Sequence, residues 1–243
     1  MSKFTHLHTH SHYSLLEALP QIPALVDAAA ADGQRTLALT DNGNLYGAIS
    51  FYKECMEKSI KPIIGVDFYV APRTMAHKEH RVDDSPTRLV LLAKNKDGYQ
   101  NLMQLVTKSH LEGFFWRPRI DSELIETYRE GLIAILPAID GEPARALKDK
   151  AKERAKDSAA WYASTFGADC YAEITHHPEI DGHEKLMRSI ASLASETRIS
   201  LVAAHEVYYM KKDDVVSYRL VDKIRTAGGL NRDSAENAPD FSF

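Results

Sequence analysis

Short apolar runs alternate with longer amphipathic stretches along the whole chain. Seven runs have the length and composition of strands, and most are followed by a segment with the apolar spacing of a helix. The strand-like runs are residues 4–7, 36–39, 62–70, 89–93, 132–135, 171–174 and 201–203. The helical segments are residues 23–31, 45–58, 99–110, 144–166, 183–196 and 214–225. This order predicts a βα-repeat built around a parallel sheet.

Three stretches depart from this repeat. Residues 71–86 combine charged and histidine side chains without an apolar period, which predicts an exposed loop. Residues 113–119 form an aromatic and basic patch that could stack on single-stranded bases, but we expect it to cover the core or to meet another domain. Residues 228–243 have no regular period and finish in Phe-Ser-Phe, which suggests that the chain was cut from a longer one.

Composition narrows the class of protein. The chain has 243 residues, of which 44% are hydrophobic and 26% charged, as in ordinary globular proteins. This length allows two small domains or one large barrel. The formal net charge of −4 excludes binding to a phosphate backbone through bulk charge. With two cysteines that lack metal or redox spacing, and no signal peptide or membrane span in the sequence, we expect a cytoplasmic protein.

The sharpest local feature is a run of alternate histidines, HLHTHSH, at residues 6–12. Alternate side chains of an extended strand share a face, so these four imidazoles can point the same way. Imidazole is a common zinc ligand, and two from one strand supply adjacent corners of a coordination sphere. The alternative is a tag or a chance run, although an affinity tag would be contiguous histidine.

Carboxylates lie in or directly after other predicted strands, at Asp41, Asp67 and Glu206. The functional face of a parallel barrel is built at the carboxyl ends of its strands. Together with the histidines, these acids are what a polynuclear metallohydrolase requires, since the ions activate a bound water as nucleophile. Taken singly, each acid could equally be a helix cap or a turn residue.

Five segments carry a more specific pattern. They are HLHTHS at 6–11, LTDNGNLYG at 39–47, IKPIIGVDFYV at 60–70, LLAKNKDGYQNL at 91–102 and HLEGFF at 110–115. In this order and spacing they resemble the polymerase-and-histidinol-phosphatase (PHP) domain, and more narrowly the form found in bacterial replicative DNA polymerase III alpha subunits. The resemblance extends from Phe4 to about Arg225.

The resemblance implies an α/β fold, a distorted seven-stranded TIM-like (β/α) barrel of the PHP type, over residues 1–227. Residues 228–243 would be a C-terminal extension that leads to polymerase domains absent from this chain. It also implies up to three divalent ions, zinc or manganese, at the carboxyl-terminal mouth of the barrel. Family members with all ligands are phosphoesterases, and in some polymerases the domain is a metal-dependent 3′–5′ exonuclease.

The ligand set that the resemblance implies is only partly present. Five positions keep or approximate a ligand: His8, His10, Glu17 in place of an aspartate, Asp67 in place of a bridging glutamate, and Glu206 in place of an aspartate. Asp41 matches its motif, but the histidine after it is replaced by Asn42. Three more ligands are replaced, by Arg88, Ala138 and Tyr208, and His205 could substitute for the last of them.

Arg88 is the most consequential of these replacements. A guanidinium about 4 Å from a divalent ion is repelled by about 8 kcal/mol at an effective dielectric constant of about 20. Arginine also binds carboxylates as a two-pronged fork. Our hypothesis is that Arg88 pairs with some of Glu17, Asp67 and Glu206 and occupies a former metal position. We therefore expect no catalytic residue, and metal at reduced occupancy at most.

The function predicted from this resemblance is that of a degenerate PHP domain. It would act as a structural scaffold and as a docking platform for the proofreading exonuclease subunit and the remaining polymerase domains, with indirect contact to DNA and none to membrane. The alternative is an active metal-dependent phosphoesterase or 3′–5′ exonuclease that holds its ions with the five ligand-like residues.

Overall fold

The computed structural model describes residues 4–225 and 240–243 as alternating strands and helices. The strands are β1 (His8–Thr9), β2 (Thr36–Leu39), β3 (Lys61–Val70), β4 (Thr87–Ala93), β5 (Arg119–Ile120), β6 (Leu132–Leu136), β7 (Cys170–Ile174), β8 (Ser200–Ala203) and β9 (Glu206–Val207). The helices are α1 (Ile22–Ala31), α2 (Ala48–Glu57), α3 (Lys96–Leu111), α4 (Ser122–Tyr128), α5 (Glu142–Lys148), α6 (Lys152–Phe166), α7 (His183–Thr197) and α8 (Val215–Arg225).

The strands form a curled sheet in the order β2-β3-β4-β6-β7-β8, and β5 adds to β3. Strand β1 pairs with β9, and it also contacts β2, because the Thr40 amide donates to the Thr9 carbonyl. The β1–β9 pair therefore lies between β2 and the end of β8. The prediction of a distorted TIM-like barrel is confirmed.

One strand departs from the predicted parallel sheet. Strand β4 runs antiparallel to both of its neighbours, β3 and β6. The segment between β3 and β4, residues 71–86, contains no helix or strand, as predicted, so it provides no helical crossover of the kind that joins parallel strands. The start of β4 consequently lies beside the carboxyl ends of the parallel strands.

The predicted helix over residues 144–166 is two helices. The helix is interrupted after α5, where Lys150 adopts a φ of 61°, and α6 starts at Lys152. Strand β5 and helix α4 are not predicted from the sequence, and Arg119, in the aromatic and basic patch, is buried. The Arg119 guanidinium donates to four backbone carbonyls, those of Met75, His77, Asp83 and Gly113.

In the described part of the chain, apolar side chains form three buried clusters. The largest lies between the sheet and helices α3 to α7, and a second lies under α1 and α2. The third and smallest fills part of the barrel interior, with Ala38, Val90, Leu92 and Ile135 fully or nearly fully buried. No helix in the described part of the chain is long and apolar enough to cross a membrane.

The last four residues pack back onto the barrel mouth. The Phe241 carbonyl accepts a hydrogen bond from the Tyr208 amide at 3.0 Å, and the Phe243 amide donates to the Tyr209 carbonyl at 3.1 Å. The rest of the predicted extension, residues 228–239, lies outside the described residues.

Candidate metal centre

A buried cluster of charged side chains lies where the strand ends meet at the barrel mouth. Strands β1, β3, β7 and β9 supply carboxylates and imidazoles, and the reversed strand β4 supplies an arginine. In the β3–β4 register Tyr69 is opposite Arg88, and Asp67 is two residues from Tyr69, so all three side chains share one face. The antiparallel pairing therefore brings Arg88 into a site otherwise built from acids and histidines.

Arg88 binds Asp67 through two parallel contacts. Its Nε lies 3.0 Å from Asp67 Oδ1 and its Nη2 lies 2.5 Å from Oδ2, which is the bidentate geometry of a strong ion pair. Burial alone would raise the pKa of Asp67, but the guanidinium and the two nearby imidazoles outweigh it and hold that pKa well below its usual range. Asp67 is therefore ionised, and both of its oxygens contact Arg88.

A polar chain extends from Arg88 to the rim of the site. Asn42 accepts a hydrogen bond from Arg88 and donates one to the Glu17 carboxylate. Glu17 also accepts from the Tyr69 hydroxyl at 3.0 Å and pairs with Arg117 at 2.5 Å. Arg88 thus reaches Asp67 directly, as our hypothesis allowed, but it reaches Glu17 only through Asn42.

His8 lies between two carboxylates. Its Nε2 is 3.1 Å from Asp67 Oδ2, and its Nδ1 is 3.2 Å from Glu173 Oε1. Burial lowers the pKa of His8, but these carboxylates raise it well above the usual value. His8 is therefore an imidazolium that donates from both nitrogens, and in this state it has no lone pair for a metal ion.

His10 is the neutral histidine of the pair. Its Nδ1 donates to the Val207 carbonyl at 3.1 Å, and its ring stacks on Tyr208 with centroids 4.2 Å apart. Burial lowers the pKa of His10. Its Nε2 is buried, lies 3.5 Å from Asp67 Oδ2, and has no hydrogen-bond partner within the described residues. This nitrogen is the one imidazole atom of the centre that is ready to bind a cation.

Glu206 is a buried acid beside His8 and Glu173. Burial raises the pKa of Glu206 to about 8, and the negative charges of Glu173 and Asp67 act in the same direction against the opposing charge of His8. At neutral pH Glu206 is therefore a protonated, uncharged carboxylic acid.

Among the residues that the structure describes, two groups of ligand atoms are close enough to hold an ion: His8, His10 and Asp67, and His8, Glu173 and Glu206. Both groups depend on His8, which would have to lose its proton. The first also requires Asp67 to leave Arg88, and the second requires Glu206 to ionise. As arranged, the residues do not fit a cluster of two or three ions.

The structure does not bring the remaining predicted residues into this cluster. Asp41 accepts hydrogen bonds from the Ser11 amide and from the Ser11 and Ser14 hydroxyls, so it holds the loop after β1. His205 Nε2 donates to the Ser242 carbonyl at 2.8 Å, and its ring faces His177 instead. Ala138 contributes only its backbone amide, which donates to Glu173 at 3.1 Å.

The four alternate histidines do not share one face. His6 packs against Phe243 with ring centroids 4.4 Å apart, and His12 packs against Tyr13 with the two rings tilted. Strand β1 covers only His8 and Thr9, so His6 and His12 lie outside it. Conversely, the sequence analysis missed Glu173, although an acid inside a short apolar strand is a detectable signal of a buried polar contact.

We predict that Arg88→Met destabilises the protein by about 3–5 kcal/mol, because Asp67 is left as a buried charge without its partner. The double variant Arg88→Met/Asp67→Asn should recover most of that loss, since both charges are removed. Urea unfolding of the two variants and of Asp67→Asn provides the measurement. Additive losses in the double variant would show that the pair is not coupled.

We also predict a pH-dependent effect at Glu206. In the unfolded chain this acid ionises near its ordinary pKa of 4.5, and in the folded protein near 8. The contribution of Glu206 to wild-type stability is therefore fully present below about pH 4.5 and is lost as the pH rises towards 8. Relative to wild type, the free energy of unfolding of Glu206→Gln should rise by on the order of 1 kcal/mol per pH unit over this interval. Above pH 8 the difference should stay constant.

Thermal or urea unfolding between pH 5 and 9 measures this difference. Glu196→Gln, which changes an exposed acid on α7, is the matched control and should parallel wild type. A constant offset between Glu206→Gln and wild type across the range would contradict the raised pKa.

Comparison with known proteins identifies the family of the chain. The PHP domain family model matches residues 6–177. The DNA polymerase III subunit alpha of Borreliella burgdorferi is 38% identical over 226 residues, which cover 93% of this chain and 20% of that protein. The corresponding subunit of Treponema pallidum is 39% identical over 216 residues, covering 88% of this chain and 18% of that protein. The chain thus spans about one fifth of the length of these relatives.

Among solved structures, a predicted metal-dependent phosphoesterase from Bifidobacterium adolescentis superposes with a TM-score of 0.55. The match covers 83% of this chain and 86% of that one at 10% identity, so the likeness concerns the fold alone. The family match over most of the chain and the barrel architecture lead to one conclusion: the chain belongs to the PHP domain family, and it is homologous to part of the bacterial DNA polymerase III alpha subunits.

Proposed function

We propose that the chain is the N-terminal PHP domain of a replicative DNA polymerase III alpha subunit whose centre works without metal. In this role it is a structural scaffold and a docking platform for the proofreading exonuclease subunit. The observation that carries the proposal is the fork of Arg88 on Asp67, in the middle of the residues that match the family's ligands.

The charge balance of the buried centre supports this proposal. Two cations, Arg88 and the His8 imidazolium, face two carboxylates, Asp67 and Glu173, while Glu206 is protonated. The cluster is thus neutral as it stands. A divalent ion added to it would introduce two uncompensated charges into a buried site, which is costly.

The same contacts support a structural role. They connect β1, β3, β4 and β7 at the mouth of the barrel, through His8, Asp67, Arg88 and Glu173. In a phosphoesterase these side chains would have to remain available to ions and substrate. Here they bind one another, and these contacts hold the four strands together.

The proposed partners follow from the homology and from the charge distribution. The curated relatives are polymerase subunits, and we propose that residues 1–227 form the barrel domain and 228–243 lead to further polymerase domains. Arg117 pairs with Glu17 and Arg119 is buried, so these two basic side chains are not available to a nucleic acid. We therefore propose only indirect contact with DNA, and the cytoplasm as the location of such a polymerase.

A second candidate function, metal-dependent phosphoester hydrolysis, is favoured by one observation. His10 Nε2 is buried without a hydrogen-bond partner among the described residues, and it belongs to a group of ligand atoms that could hold one ion. An ion there would have to displace Arg88 from Asp67.

Metal content distinguishes the two functions. Protein purified without a histidine tag and dialysed against zinc or manganese should retain almost no ion by mass spectrometry, and it should not hydrolyse bis(p-nitrophenyl) phosphate. The double variant Asn42→His/Arg88→His, which supplies two imidazoles and removes the guanidinium, should gain metal. One or more ions per wild-type chain, with turnover that His8→Ala abolishes, would establish the phosphoesterase instead.

Docking is tested separately by calorimetry with the proofreading exonuclease subunit from the same organism. We expect binding by the wild-type chain that is unchanged by EDTA, because the proposed platform requires no metal. Asp67→Asn/Arg88→Met serves as a folded control with an altered centre and should bind equally well. Failure of the wild-type chain to bind would remove the docking role and leave the metal-free centre intact.

A further inference from the structure

The barrel has an open cavity at the end opposite the metal centre. Its volume is about 800 Å³. It is reached from the amino-terminal ends of the parallel strands: Ile63 lies near the start of β3, Ile133 near the start of β6 and Tyr171 near the start of β7. The interior of a barrel of this kind is ordinarily filled by layers of side chains. This cavity is instead within the size range of ligand-binding pockets.

The deep walls of the cavity are aliphatic. They are formed by Leu7, Ile63, Leu92, Ile133, Ile135 and Val202. Such walls offer water few polar partners, and they lose dispersion contacts when no atoms fill the space between them. The deep part of the cavity therefore favours an aliphatic occupant.

The rim of the cavity has a different chemistry. Lys61, at the start of β3, and Lys94, after β4, both line it. The Lys94 ammonium is engaged with both oxygens of Asp169, at 2.8 and 2.9 Å. Within residues 4–225 and 240–243 the exposed Lys61 ammonium has neither an ion pair nor a side-chain hydrogen bond. A positive charge is thus available where the aliphatic walls end.

We propose that this cavity binds one anionic amphiphile, an aliphatic chain that ends in a carboxylate. The aliphatic part of this ligand lies inside the barrel, and its carboxylate lies at the rim, where it pairs with Lys61. This site shares no side chain with the metal centre, and the proposal does not depend on the proposed function.

A series of saturated fatty acids tests the aliphatic part. Octanoate, decanoate and dodecanoate are titrated into the native chain by calorimetry below their micelle concentrations. Each added methylene should lower the dissociation constant by about fourfold until the cavity is full, as expected for a CH₂ group transferred out of water. The absence of binding for all three acids would overturn the proposal.

Two variants locate the binding. Ile133→Phe and Val202→Phe fill the cavity from different strands, and each should abolish dodecanoate binding while near-ultraviolet circular dichroism confirms a folded protein. Having two variants protects the test if one of them fails to fold. Binding that persists in the folded variants would indicate adsorption elsewhere and would contradict the site.

A matched pair of ligands tests the role of the charge. Lys61→Gln should weaken dodecanoate binding by about two- to fivefold, the range of an exposed ion pair, and leave dodecanol unchanged. Lys58→Gln is the control, because Lys58 pairs with Asp27 away from the cavity, at 2.7 Å. Equal effects of Lys61→Gln on both ligands would contradict the assignment of Lys61 to the carboxylate.

Discussion

The ion pair between Arg88 and Asp67 is the interaction on which the rest of the centre depends. Asp67 is buried and ionised, so it requires a cation, and in this chain the cation is a guanidinium held by covalent attachment to β4. Once Asp67 is compensated in this way, His8 can serve as an imidazolium between Asp67 and Glu173. Glu206, with no remaining cation of its own, is left protonated. The states of three side chains, Asp67, His8 and Glu206, thus depend on one contact.

Much of this arrangement was accessible from the sequence, since opposite charges must pair when they are buried. An arginine at a position expected to be a metal ligand predicted a carboxylate partner, and Asp67 is that partner. The reversal of β4 was also detectable in principle. Residues 71–86 have no helical period, and parallel neighbours require a crossover that is usually helical. The loop is predicted from the sequence, whereas the antiparallel direction of β4 is not.

Other features could not be obtained from the sequence by the same reasoning. The apolar period of residues 144–166 continues through the break at Lys150, and no glycine or proline marks it. The direction of His205 depends on the backbone of Ser242, far along the chain. Asp41 looked like a ligand because it follows a strand, yet hydroxyl and amide donors from the preceding loop satisfy it. Which donor a carboxylate such as Asp41 finally binds depends on the packed fold, and the sequence alone does not determine it.

The two ends of the barrel differ in the polarity of the side chains that line them. Charged groups are concentrated at the carboxyl-terminal mouth, where they satisfy one another, and the opposite end keeps an apolar opening. A metal-binding enzyme needs the first end to remain reactive. A scaffold needs only that the buried charges balance, and this centre reaches that balance with side chains alone.

The most direct measurement is a crystal structure of the chain grown with excess manganese, with data collected for the anomalous signal of that ion. A centre that works without metal should show Arg88 on both oxygens of Asp67 and no anomalous peak. A peak between His8, His10 and Asp67, with Arg88 turned away from the carboxylate, would contradict it.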